Sequence, residues 1–155
     1  MSKLKQLQNH LKENGWDAAF ITTPDNVFYF SGFKSEPHER LLGVMVFKDA
    51  EPFLICPKME MPDAVAAGWA FDVVGHEDTE NAWDVVAKNV EARNVAFDTL
   101  AIEKSHLTVE RLEAIQERYE QLKFAGIDEK INALRISKDE AELEKLRKAA
   151  QLADY

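Results

Sequence analysis

Apolar residues along the 155-residue chain switch repeatedly between helical and strand spacing. Leu4, Leu7 and Leu11 share one face of a first helix, and Gly15 is placed to stop it. The unbroken run Ala18-Ala19-Phe20-Ile21-Thr22 predicts a buried strand. Pro24 suits the first turn of a short helix through Phe30, ended by Gly32. Strand-like runs at 42–47 and 52–56 flank the polar Lys48-Asp49-Ala50-Glu51, which predicts a hairpin. A helix over 61–67 should stop at Gly68, and 71–74 reads as a strand. Trp83, Val86, Ala87 and Val90 mark a helix over 80–93, and Val95-Ala96-Phe97 the next strand. Val109, Leu112, Ile115 and Tyr119 mark a further helix with Thr108 as its N-cap, and 122–125 a last short strand.

This alternation predicts an α/β domain with helices on both faces of a sheet, a three-layer α/β/α arrangement. The hairpin makes the sheet mixed, though mostly parallel. At the C-terminal end Ser137-Lys138-Asp139-Glu140 has the form of a capping box. Leu143, Leu146, Ala150 and Ala153 then form an apolar stripe, with Glu144 and Lys148 as an i, i+4 pair. No Gly or Pro stops this helix before Tyr155, so the expectation is a natural chain that continues.

Composition narrows the function classes. A net charge of −9, from 28 acidic and 19 basic residues, disfavours a nucleic-acid partner, which needs clustered Lys and Arg. No run approaches a membrane span, and the first residues lack the apolar stretch of a signal peptide. With Cys56 as its single cysteine the chain forms no internal disulfide, and a cytoplasmic location is expected.

Catalytic motifs are absent. His10, His38, His76 and His106 belong to no metal-binding spacing. His10 reads as a solvated residue, and His76 and His106 as loop residues. Cys56 reads as a buried structural thiol with no base beside it in sequence. No glycine-rich phosphate loop and no Gly-x-Ser-x-Gly elbow occurs. Asp98, following the expected strand at 95–97, raises a nuclease-type metal reading that would need several converging carboxylates. The loop Ser35-Glu36-Pro37-His38-Glu39-Arg40 concentrates mixed charge and an imidazole between Gly32 and the strand at 42–47, and is a candidate contact surface.

The segment Thr22-Thr23-Pro24-Asp25-Asn26-Val27-Phe28-Tyr29-Phe30-Ser31-Gly32-Phe33 resembles the Asn-x-x-Tyr-[Leu/Phe]-[Ser/Thr]-Gly-Phe signature of the creatinase/prolidase N-terminal domain. Upstream, residues 4–21, with Gly15-Trp16-Asp17-Ala18, are similar to that family's opening helix and strand. Downstream, residues 131–143 resemble its junction, where Leu-Arg-x-x-Lys leads into a catalytic domain. The resemblance implies a ribonuclease H-like fold for 1–136, with 137–155 opening the first helix of a "pita-bread" catalytic domain. It implies a homodimer acting on Xaa-Pro dipeptides, with two divalent metal ions, manganese being the expectation, held by that second domain.

Asp128 and Asp139 have ten residues between them, the family's metal-ligand spacing. The match is rejected: Asp128 opens a helical segment, Asp139 sits in a capped first turn, and no histidine follows His106. The chain alone is therefore expected to hold no metal and no peptidase activity. His38, Glu39 and Arg40 are the candidate substrate-binding residues, reaching a dimer mate's cleft. Arg40 would pair with a substrate carboxylate, while His38 and Glu39 limit the cleft's length. An aminopeptidase P, a creatinase or a metal-free protein-binding module shares the architecture.

Overall fold

A computed structural model describes residues 1–137 and 140–153. Its strands are β1 (Ala18–Ile21), β2 (Gly43–Phe47), β3 (Phe53–Pro57), β4 (Asp72–His76), β5 (Thr99–Ile102) and β6 (Lys123–Gly126). They form a six-stranded sheet in the order β4-β3-β2-β1-β5-β6. Only β2 runs against its neighbours; β3 with β4, β1 with β5 and β5 with β6 are parallel.

Strand residues alternate between two cores, as a pleated sheet covered on both sides requires. Ala19, Ile21, Val44, Val46, Leu54, Cys56 and Ala101 face the first core. It is closed by α1 (Lys3–Asn14), α2 (Pro24–Ser31), α3 (Met61–Ala66) and α6 (Asp128–Ile136) through Leu7, Leu11, Val27, Phe30, Ala64, Ile131 and Leu134. Phe20, Met45, Phe47, Phe53, Ile55, Leu100 and Ile102 face the second core, closed by Val86 and Val90 of α4 (Ala82–Ala92) and Ile115 of α5 (Val109–Arg118). Central strands are thus apolar without interruption, the signature of burial on both faces.

Local chemistry sets the helix ends. Ser2, Asn81 and Thr108 accept the first free amides of α1, α4 and α5. Gly32 ends α2 with φ 77°, and a Cβ there would stand 3.1 Å from the Ala67 carbonyl oxygen. A final helix α7 (Glu140–Ala153) keeps Leu146 and Leu152 exposed. Lys3 of α1 pairs with Glu142 of α7. Glu144 reaches Arg147, at 4.0 Å, one residue before the expected Lys148. The expected capping box includes Lys138 and Asp139, which lie outside the described residues.

Several expectations are corrected. Residues 95–97 form no strand; β5 begins at Thr99. The cause is a grip from elsewhere in the chain: the Asp17 carboxylate accepts the Asp98 amide at 2.7 Å and the Thr99 amide at 3.1 Å, setting where pairing with β1 starts. Asp98 therefore precedes a strand instead of ending one, and the nuclease reading loses its premise. Val109 is 70% exposed, so the apolar face of α5 starts a turn later. His10 is half-buried with its ring edge-on to Trp16 at 5.6 Å. His76 is the last residue of β4, buried, and bonded through Nε2 to the Leu41 carbonyl at 2.8 Å.

Candidate functional site

The turn at His38–Arg40 lies at the C-terminal edge of the sheet, where open α/β folds place their ligand sites. It is closed by the Arg40 amide donating to the Pro37 carbonyl at 3.0 Å. His38 takes φ 56°, a backbone state few side chains adopt. Its neighbours hold it there. Ser35 donates to Glu60 at 2.6 Å on one side, and Leu41 is tied to His76 on the other. Beneath the turn, Arg111 Nη2 donates to the carbonyls of Glu39 and Arg40, each at 3.4 Å. Burial lowers the Arg111 pKa, with the Glu110 carboxylate working against that shift.

His38 and Glu39 are exposed. Arg40 is half-exposed, its Nη2 3.1 Å from Asp78 and its Nη1 3.7 Å from the Met59 sulfur. The turn forms one wall of an open cleft of about 950 Å³, whose other walls include His76, Asp78, Trp83 and Arg111. The structure thus brings the three expected residues into one cleft, with Arg40 already paired. The sequence reading missed Asp78, His76 and Arg111. Only the placement of Arg111 one residue before the apolar Leu112, facing the loop instead of the core, carried a usable signal.

The signature segment has a different environment. The Glu103 carboxyl group, 2% exposed and just past the end of β5, accepts the Thr22 amide at 2.5 Å, the Thr23 amide at 2.8 Å and Asn26 Nδ2 at 2.6 Å. Thr23 gives α2 no side-chain cap, and Glu103 holds the two amides that lead into the helix. Asn26 Oδ1 then accepts from Arg135 at 2.9 Å, and the Tyr29 hydroxyl donates to the Leu134 carbonyl at 2.8 Å. The three-residue spacing of Asn26 and Tyr29 puts both side chains on the face of α2 that meets α6. The signature is thus a clasp joining β1, β5, α2 and α6.

Among the described residues no group of three His, Cys, Asp or Glu side chains converges as a metal site. Asp128 Oδ2 instead accepts the Ser105 amide at 3.0 Å, and Asp139 lies outside the described residues. The residues present do not fit a dinuclear metal centre. Cys56 is fully buried with its thiol pushed up to about 12 by burial and by Glu60 and Asp63, so it is no nucleophile. No described helix is long and apolar enough to cross a membrane.

The creatinase/prolidase N-terminal domain family matches residues 3–137. The chain is 41% identical over its whole length to a putative dipeptidase, YkvY, of Bacillus subtilis, covering 43% of that protein. It is 40% identical over 153 residues to the Xaa-Pro dipeptidase of Lactobacillus delbrueckii subsp. lactis, covering 98% of this chain and 42% of that protein. Among solved structures, the N-terminal domain of the Xaa-Pro dipeptidase from Lactobacillus brevis superposes with a TM-score of 0.78 at 33% identity, over 85% of this chain and 99% of that one. The chain therefore spans less than half the length of these curated relatives.

Proposed function

The chain belongs to the creatinase/prolidase N-terminal domain family, and from that premise we propose that it serves as the non-catalytic N-terminal domain of a metal-dependent Xaa-Pro dipeptidase. The observation that carries the reading is the 40% identity to an Xaa-Pro dipeptidase across 98% of the chain. In this reading the protein is cytoplasmic and homodimeric, and residues 137–155 open a catalytic domain. That domain supplies the divalent metals, manganese being the expected ion. In this reading the 155-residue chain is inactive alone.

The turn at His38–Arg40 meets the partner subunit's cleft in this proposal. Support comes from its rigidity and its charge. Arg111, His76 and Ser35 fix its backbone, so little backbone entropy is lost on contact. The Arg40–Asp78 pair is surface-exposed, a class contributing about 0–1 kcal/mol, so a substrate carboxylate can replace Asp78 at small cost. Hydrolysis of an Xaa-Pro dipeptide by the full-length protein with Mn²⁺ tests the reading. Arg40→Ala is expected to raise KM about tenfold. Unchanged KM and kcat sink the role of the turn, and activity in the 155-residue chain alone sinks the accessory-domain reading.

A further inference from the structure

Behind the turn lies a second pocket, continuous with the cleft, which shares Thr22 with the clasp and His38 with the turn. It has a volume of about 420 Å³ and includes Thr22, His38, His106, Thr108 and Arg111 in its lining. Thr22 follows β1, and His106 follows β5, the parallel neighbour of β1. From these two strand ends the chain departs in opposite directions, α2 to the first core and α5 to the second. This is the topological switch point of the sheet, the position at which open α/β folds form a crevice suited to a ligand.

The chemistry of the pocket opposes that of the molecule around it. The chain carries a net charge of −9. In the adjoining cleft, carboxylates from Glu39 to Glu117 far outnumber the guanidinium groups of Arg40 and Arg111. In the pocket, Glu36 is the one acidic residue of the lining, against one guanidinium and two imidazoles. Arg111 is half-buried, and among the described residues the only hydrogen bonds of its guanidinium are the two long ones from Nη2 to the turn carbonyls. Among the described residues no carboxylate is ion-paired with it, and its Nε and Nη1 groups make no hydrogen bond there. Thr22 Oγ1 lies 3.0 Å from His106 Nδ1, which fixes the imidazole at the pocket wall. The N-terminus of α5, at Thr108, adds its dipole.

We infer that this pocket is a carboxylate site, in which Arg111 and His106 take the C-terminal carboxylate of a short peptide. His38, Thr108 and Arg111 line both the pocket and the acidic cleft, so the two are continuous. A zwitterionic peptide fits that polarity, with its carboxylate at Arg111 and its ammonium toward the cleft. A phosphate dianion does not fit, because the carboxylates of the cleft repel a second negative charge. Arg111 and His106 both belong to this chain, so the site needs no residue from a partner subunit.

The related N-terminal domain from Lactobacillus brevis, of nearly the same extent, was solved as a separate unit, so the 155-residue chain is a fair object for binding. The test is a titration of the chain with glycyl-proline, followed through its backbone amide signals in NMR. Glycyl-prolinamide, N-acetyl-glycyl-proline and inorganic phosphate are titrated in parallel. The dipeptide is expected to saturate with shifts centred on Thr22, His106 and Arg111, and each of the other three to bind about tenfold more weakly or worse. Arg111→Met should lose about tenfold in affinity while keeping a native spectrum. Should Arg111→Met unfold the turn, Thr22→Val, remote from it, is read in its place and should weaken binding severalfold. Four results overturn the inference: no saturation, equal binding of either blocked peptide, equal binding of phosphate, or parental affinity in the variant that is read.

Discussion

The clasp around Asn26 and the turn at His38 are separated by a dozen residues, yet they are built in opposite ways. In the clasp, a buried carboxyl group satisfies three donors at 2.5–2.8 Å, among them both amides, of Thr22 and Thr23, between β1 and α2. In the turn, the side chains of His38 and Glu39 are exposed, and the backbone is held from outside by Arg111 at 3.4 Å and by the His76 bond to the Leu41 carbonyl at 2.8 Å. The contrast separates two reasons for a residue to be distinctive in sequence. The Asn-x-x-Tyr pattern is distinctive because four elements converge on it. The charged run 36–40 is distinctive because packing leaves its side chains at the surface, and exposed charged side chains on a fixed backbone are available for recognition.

The comparison breaks most directly at Glu103. Glu103→Gln replaces one acceptor oxygen by an NH₂ group facing amide donors that have no route to water. The loss should be about 2–3 kcal/mol of unfolding free energy, measured by urea denaturation. A loss below about 0.5 kcal/mol would place the clasp in the same class as the turn. Combining Glu103→Gln with Asn26→Ala should cost less than the sum of the two, because both act through one network.

Asp17 is the corresponding grip at the opposite edge of the sheet. Burial pushes its carboxyl pKa up, but the Asp98 amide, the Lys48 ammonium at 2.9 Å and the Thr99 amide outweigh that effect and hold it below the ordinary 3.8. A depressed carboxyl pKa adds stability above the unfolded value, and that stability is lost as pH falls through the folded one. Asp17→Asn should therefore cost about 1–2 kcal/mol at neutral pH. The gap between variant and parent should narrow only as pH drops below about 4. A gap constant from pH 7 to pH 2 would mean that the charge contributes nothing.

Asp17 also shows why part of the fold was hidden in the sequence. The run Val95-Ala96-Phe97 and the run Leu100-Ala101-Ile102 are equally apolar, and periodicity does not choose between them. The choice is made by a carboxylate more than eighty residues away along the chain. Misplacing β5 in turn hid Glu103, which has meaning only as the residue just past the strand end. Elements whose limits are local, such as α1 between Ser2 and Gly15 or the hairpin at Lys48, were legible because the residues that stop them lie beside them. The candidate turn was legible from its charge. Its partners, Arg111 of α5, His76 at the end of β4 and Asp78 in the loop after it, lie far away in sequence and were not.

Tyr29→Phe sharpens the comparison with a smaller step. It removes the donor to the Leu134 carbonyl while leaving the ring on α6, and should cost about 0.5–1.5 kcal/mol in the same urea measurement.

Arg40→Ala is the limiting case. It deletes an exposed ion pair with Asp78 and a long contact to Met59, and leaves the turn's backbone supports in place. Its stability change should be within about 0.5 kcal/mol, at the edge of measurement. A larger loss would mean that Arg40 belongs to the scaffold, and any effect on a full-length enzyme would then be ambiguous between folding and recognition. A null effect makes the catalytic test clean: a side chain that the fold does not need, on a backbone that several elements hold still, would have its value in what it touches outside the chain.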